Sequence, residues 1–264
     1  MSLDIIIVNY QTPGDLERCL NSLVEFPPTV DHQVVVVNND PLPLDHDVAT
    51  LYVEGRPNWV MVPLDNEGYA NACNFVAGSS STDVLAFFNA DVEFTYNVLD
   101  ACHDALLAND RWGILGPRQV NRSGEITHAG IFGTHDHPQL RGWKRRTSDY
   151  QDVRDDAISV SGSAYFVKRK CWDELAHCPT YQASIPPEAP KALGAFLPTP
   201  HYYEETWCSY HAWAHRWKVV YWGLHTMVHE WHTASPVGGA ADRLMPKSRE
   251  MFRHACRQHG IPHD

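Results

Sequence analysis

None of the seven cysteines, at 19, 73, 102, 171, 178, 208 and 256, belongs to a Cys-x-x-Cys pair. An odd, scattered set argues against a disulfide framework and for reduced, mostly buried thiols, and so for a cytoplasmic protein. Long apolar runs are missing as well. None approaches the roughly 20 residues a membrane-spanning helix needs, and the first strand-like run begins near Leu3 with no signal peptide before it. Positive charge is scarce: Lys and Arg number 21 against 32 Asp and Glu, a formal net charge of −11. That balance disfavours a broad nucleic-acid or anionic-membrane surface. Internal repeats and low-complexity tails are absent. What remains is 44% hydrophobic and 20% charged over 264 residues, enough to bury the core of one large α/β domain. Sixteen histidines crowd toward the second half.

The first half alternates. Leu3–Val8 is an apolar run closed by Asn9-Tyr10-Gln11-Thr12-Pro13-Gly14, and Asp15–Glu25 places Leu16, Leu20, Leu23 and Val24 at helical spacing. Val34–Val37, Trp59–Val62 and Val84–Phe88 are further strands. Gly68–Gly78 and Asn97–Asn109 read as helices. Strand–helix alternation predicts right-handed crossovers and a mostly parallel sheet. The second half is less regular. Strands are expected at 113–117, 126–132, 158–167 and 219–222, with helices at 169–175, 204–215 and 247–259. The polar stretch 134–156, with Arg141-Gly142-Trp143-Lys144-Arg145-Arg146, and the proline-rich stretch 181–200 are expected to be long loops, which usually carry function.

The most informative residues end the run from Asp83 to Phe94, where an apolar strand turns polar at Asn89-Ala90-Asp91. Strands buried on both faces read as continuous apolar runs, and open α/β sheets place ligands at their carboxyl ends. Side chains two residues apart share a side of a strand, so Asn89 and Asp91 can offer hard oxygen ligands together. Such ligands suit Mg²⁺ or Mn²⁺ holding a diphosphate. Polar clusters at 9–12, 38–40 and 89–91 would gather along one sheet edge.

Several ordered elements carry a resemblance. Ile5-Ile6-Ile7-Val8-Asn9-Tyr10, Val35-Val36-Val37-Asn38-Asn39, Asn66-Glu67-Gly68-Tyr69-Ala70-Asn71-Ala72-Cys73-Asn74 and Phe88-Asn89-Ala90-Asp91-Val92 are followed by Val160-Ser161-Gly162-Ser163-Ala164, Tyr203-Glu204-Glu205 and Val228-His229. From Leu3 to Ser235 this order resembles inverting family 2 glycosyltransferases with the GT-A fold, with the Asn-x-Asp form common among rhamnosyltransferase-like members. The resemblance implies one GT-A domain over 1–264. Residues 1–117 would bind the donor, 118–240 the acceptor, and 241–264 would form a terminal helix.

The resemblance also implies a nucleotide-diphosphate sugar donor, a hydroxyl acceptor and a divalent cation, Mn²⁺ or Mg²⁺. Asp91 would be a metal ligand, joined by His229, with His225 and His232 as neighbouring alternatives. Glu205, or Glu204 beside it, would take the acceptor's proton. Donor-binding positions would be Asn9, Tyr10, Thr12, Asn38, Asp40, Asn66, Gly68, Asn74, Asn89 and Asp91. Two departures stand out. Where the family usually has Asp at the end of its second strand, this chain has Asn38, which passes base recognition to Asp40 or to an amide. Where it often has Glu-Asp-x-Asp-Leu, this chain has Glu204-Glu205-Thr206-Trp207-Cys208. Two other readings share the fold: a sugar- or nucleotide-binding module without activity, and a nucleotidyltransferase. The latter needs a Gly-rich, basic loop after the first strand, which Asn9–Gly14 lacks.

Overall fold

The computed structural model of the chain describes residues 2–39, 42–187, 193–230 and 240–263. Its centre is a ten-stranded sheet among the described residues. The first half supplies β1 (Ser2–Asn9), β2 (Asp31–Asn39), β3 (Trp59–Leu64), β4 (Val84–Asn89) and the two-residue β5 (Val92–Glu93). The helices between them are α1 (Pro13–Glu25), α2 (Pro43–Val53) and α3 (Tyr69–Ser79), followed by α4 (Val98–Leu107). The second half adds β6 (Trp112–Val120), β7 (Ile126–His128), a separate hairpin β8–β9 (Ile131–Thr134 and His137–Leu140), β10 (Val153–Ala157) and β11 (Ala164–Lys168). The chain continues through α5 (Arg169–Ala176), α6 (Pro179–Ser184), α7 (Glu204–Ala214), β12 (Lys218–His229) and α8 (Ala240–Gln258).

Along the sheet the order is β10-β12-β6-β11-β4-β1-β2-β3, with β10 and β11 reversed against the other six, and the short β5 and β7 add antiparallel to β12 and β6. This is the mostly parallel α/β sheet expected. Successive residues of the inner strands alternate between two cores. Ile6, Val8, Val35, Val37, Leu85 and Phe87 pack with residues of α3, α5 and α7. Leu3, Ile5, Ile7, Val34, Val36, Ala86 and Phe88 pack with α1, α2 and α4. Burial on both faces is why these strands read as unbroken apolar runs. A third cluster joins Tyr181, Trp207, Tyr210, Phe252 and Cys256, fixing α8 to α6 and α7. No helix among the described residues is long and apolar enough to cross a membrane.

The parallel register sets the strand tips abreast: Asn9 lies opposite Asn38, Val8 opposite Asn89, and Asn39 opposite Leu64. Elsewhere the structure departs from expectation. Helix α2 was not foreseen, because its inward residues are Asp45, Ala49 and Tyr52 while Leu44 and Leu51 face solvent, hiding the usual apolar period. The stretch 134–156 is built rather than open, holding β9, most of β10 and a short 3₁₀ turn. The strand expected at 158–167 is confined to 164–168, and 158–163 is irregular apart from a bridge between Ile131 and Ser159. Strand β12 runs seven residues beyond the expected 222. Its register shifts between Trp222 and Thr226, where Gly223 admits the Tyr150 and Asp152 backbone, and that break conceals the continuation. Helix α8 (Ala240–Gln258) starts seven residues before the expected 247 and runs through Pro246.

Candidate functional site

Beyond β4 the chain turns at Ala90-Asp91 and at once forms β5, which pairs antiparallel with the end of β12 so that Val92 faces His229. That pairing brings Asp91 Oδ1 within 3.4 Å of His229 Nε2, and both side chains are buried. A buried carboxylate and an imidazole meeting at a strand tip form an oxygen–nitrogen donor pair that fits Mn²⁺ or a similar divalent cation. Of the two other histidine candidates, His225 stacks on Trp222 and accepts its indole N–H at 3.1 Å, and His232 lies outside the described residues. His128 stands behind His229. Its Nε2 accepts the N–H groups of Gly130 and Ser161, both at 3.2 Å, which assigns the ring proton to Nδ1. Burial, and then the neighbouring His229, push His128 down to about 3, so it stays neutral.

The turn Ser161-Gly162-Ser163 links this corner to the acids of α7. The Asn89 N–H donates to the Ser163 carbonyl at 3.1 Å, and Ser163 Oγ donates to Gln119 Oε1 at 2.7 Å. A Cβ on Gly162 would sit 3.0 Å from Glu205 Cγ, so the glycine makes room for that side chain. Tyr69 closes the same corner with its hydroxyl on the Gly162 carbonyl at 3.0 Å. Tyr202 and Tyr203, both in the left-handed region (φ 65° and 73°), turn the chain into α7. Glu204 is buried, its carboxylate taking a 3.3 Å hydrogen bond from Thr199, and burial followed by repulsion from Glu205 pushes it up to about 8. Glu205 is only partly covered. Burial raises it too, but backbone N–H groups at the helix start and at Gly162 favour its charged form. The pair therefore shares its charge unequally: Glu204 holds a proton more readily, and Glu205 is the ready acceptor.

On the other side of Asp91, Asn9 and Asn38 are fully buried and turned inward. Asn9 Nδ2 donates to Asn38 Oδ1 (3.1 Å) and to Asp45 Oδ1 (2.8 Å), while Thr12 Oγ1 donates to Asn9 Oδ1 (2.8 Å). Asn38 Nδ2 reaches the Asp45 carbonyl at 3.2 Å, and Asp45 Oδ2 takes the Leu42 N–H at 3.0 Å. These amides brace the loops at the sheet edge, with Tyr10 half exposed at the tip. Asp40 lies outside the described residues. Asn39 donates to Asn66 Oδ1 at 3.0 Å, and the same oxygen takes the Gly68 N–H at 3.1 Å. Gly68 has φ 99° and lies against the carbonyls of Thr199 and Pro200, each 3.3 Å from where a Cβ would be. Asn74 faces away from this edge. Its amide bonds the Phe196 carbonyl (2.8 Å) and N–H (3.2 Å), clamping the segment that leads to Glu204.

Beside Asn66–Gly68 opens a cleft of about 790 Å³. Its walls include Ser184–Pro187, Pro198–Pro200 and the α8 residues Lys247, Met251 and His254. Of the basic stretch, Arg141 is engaged elsewhere. It pairs with both Asp152 oxygens at 2.9 Å and lies over the rings of Phe132, Tyr150 and Tyr221. Sequence reasoning missed Asp45, His128 and Gln119. Asp45 carries a signal, an acid within the first turn after Pro43. The other two are single polar residues in strands with no pattern around them.

Residues 4–167 match the family described as Glycosyl transferase family 2. No curated protein sequence matches the chain. Among solved structures, S. aureus TarS 1-349 is similar at 14% identity and TM-score 0.58, covering 98% of this chain and 72% of that one. GalNAc-T7 with UDP, GalNAc and Mn²⁺ is similar at 12% identity and TM-score 0.66, covering all of this chain, which spans only 55% of that one. The mannosyltransferase PcManGT from Pyrobaculum calidifontis, in complex with GDP-Man and Mn²⁺, is similar at 12% identity and TM-score 0.59, covering 97% and 73%.

Proposed function

The chain belongs to glycosyl transferase family 2, and from that premise we propose that it transfers a sugar from a nucleotide-diphosphate donor to an acceptor hydroxyl, with inversion and with a divalent cation. The observation that carries this reading is the buried Asp91–His229 pair at the tip of β4, with the acids of α7 joined to the same corner through Gly162. Two similar structures are described with Mn²⁺, one with UDP and the other with GDP-Man, which supports a sugar-nucleotide donor here.

In this reading Asp91 and His229 hold the cation. When bound, it neutralises charge building on the departing diphosphate. Asn66 and Gly68 shape the backbone floor beside the phosphates, where only a glycine lets the 199–200 segment come close. Tyr10, Thr12 and Asn89 face the donor from the strand tips, while Asn9, Asn38 and Asn74 hold those tips and the 193–200 segment in place. Glu205 accepts the proton of the acceptor hydroxyl as its oxygen attacks the anomeric carbon opposite the diphosphate. The carbon–oxygen bond to phosphate breaks, and the new glycosidic bond forms with inverted configuration. Residues 1–117 form the donor half and 118–240 the acceptor half, with α8 walling the cleft through which the acceptor arrives. Seven free thiols, all but Cys178 buried, support a cytoplasmic setting.

A thermal-shift screen of UDP-, TDP- and GDP-sugars with Mn²⁺ tests the reading. The true donor raises Tm by mass action, and nucleoside diphosphate is released when acceptor is added. If no sugar nucleotide shifts Tm in the presence of Mn²⁺, the reading falls. Binding without release would favour an inactive module.

A further inference from the structure

Further along α7, beyond its acids, lies a second cluster of donors. His211, two turns beyond Glu204, is fully buried, and neither of its ring nitrogens has a hydrogen-bond partner among the described residues. His259 follows the last turn of α8, its ring 4.6 Å from that of His211, and its buried Nε2 is also without a hydrogen-bond partner. Cys178, a free thiol at the start of α6, completes the group: the ligand atoms of all three lie within 4.8 Å of one another.

We propose that Cys178, His211 and His259 form a zinc site distinct from the Asp91–His229 pair. A buried imidazole with both nitrogens unsatisfied is costly, and a metal bond on one nitrogen relieves the cost. The donor set selects the ion. One thiolate with two imidazoles suits Zn²⁺, whereas Mg²⁺ and Mn²⁺ prefer oxygen. Tetrahedral Zn²⁺, with bonds of roughly 2.0–2.3 Å, needs its ligand atoms somewhat under 4 Å apart, so the cluster closes with small side-chain rotations. Three protein ligands leave a fourth position for water. His215, whose ring is 4.7 Å from His211, is instead held by Glu174 at 2.8 Å. The surroundings are dry, with the Trp207 ring 4.8 Å and the Tyr181 ring 5.5 Å from His211. Burial, and then the neighbouring histidines, hold His211 down at about 2, so protons do not compete for it. Binding releases the thiol proton of Cys178 to solvent. The ion would tie α6 and the end of α8 to α7, the helix that begins with Glu204 and Glu205. It would thus set the wall of the cleft without touching substrate.

The test is a titration of the metal-stripped, full-length chain with CoCl₂ and then ZnCl₂. The expected result is a tetrahedral Co²⁺ spectrum with a thiolate-to-cobalt charge-transfer band that Zn²⁺ displaces, and a Tm rise of several degrees with Zn²⁺. The band disappears in Cys178→Ser and in His259→Gln, both checked for folding by circular dichroism, and persists in Asp91→Ala. A folded wild-type chain without the charge-transfer band overturns the proposal, as does a band that survives Cys178→Ser.

Discussion

Adjacent carboxylates on α7 titrate differently because only Glu205 meets a run of backbone donors, while Glu204 is sealed against Thr199. Glu205→Gln is nearly isosteric but cannot take a proton. Transfer should fall by about 10²-fold or more with donor affinity almost unchanged, measured as kcat against the donor Kd. Were Glu204→Gln the crippled variant and Glu205→Gln active, the base would be one residue earlier. Glu204 should instead show itself in stability. Its folded value, about 8, stands above the ordinary 4.5, so between those pH values the folded chain keeps a proton the unfolded chain has lost. Stability from this group is therefore full below about pH 4.5 and drains away as pH rises toward 8. Glu204→Gln removes that slope: its Tm should gain on wild type between pH 5.5 and 8, and a constant difference would refute the assignment. At the strand tip, Asp91→Ala should abolish transfer and leave far-ultraviolet circular dichroism intact.

Among the elements, those legible in the sequence were the ones buried on both faces. β1, β2 and β4 announced themselves because Ile5–Ile7, Val34–Val37 and Leu85–Phe88 feed two cores at once. The strand-end polar clusters followed from them, and with them most of the edge proposed to hold the donor. Hidden were the elements whose inward residues are polar or small. α2 presents Asp45 inward, the β8–β9 hairpin is largely exposed, and β12 is broken by a register shift at Gly223. The closeness of Asp91 and His229 could not be read either, because it depends on β5 pairing with a strand 135 residues later in the chain, at Val228–His229. Asn74 shows the same limit. Its place in a motif suggested ligand contact, whereas its amide clamps Phe196. Asn74→Ala leaves two buried backbone groups unpaired, at about 1–3 kcal/mol. A domain of this size should lose roughly 2–4 °C in Tm per kcal/mol. The acceptor KM should rise as the 193–200 segment loosens, while donor affinity holds; an unchanged KM would show that this segment does not shape the acceptor path.

For the whole molecule, one sheet gathers the residues of the proposed reaction: the parallel strands β3-β2-β1-β4 form the edge proposed to hold the donor, and β11, β6 and β12 extend it to the His229 corner. The proposed base reaches that edge from α7, packed on the same sheet face as α3 and α5. A base and a leaving diphosphate on opposite sides of the sugar allow one in-line displacement, and a single displacement inverts the anomeric centre. An α-linked donor should therefore give a β-linked product, read from the coupling of the product's anomeric proton by NMR. Excess EDTA should stop transfer, and Mn²⁺ added back should restore it, because oxygen–nitrogen ligation at Asp91 and His229 suits that ion while the proposed Cys178–His211–His259 cluster does not. Retention of the donor's anomeric configuration would require a covalent or front-face route, and would remove Glu205 from the role of base. Full activity in EDTA would detach the Asp91–His229 pair from catalysis and leave its burial to be explained by folding alone.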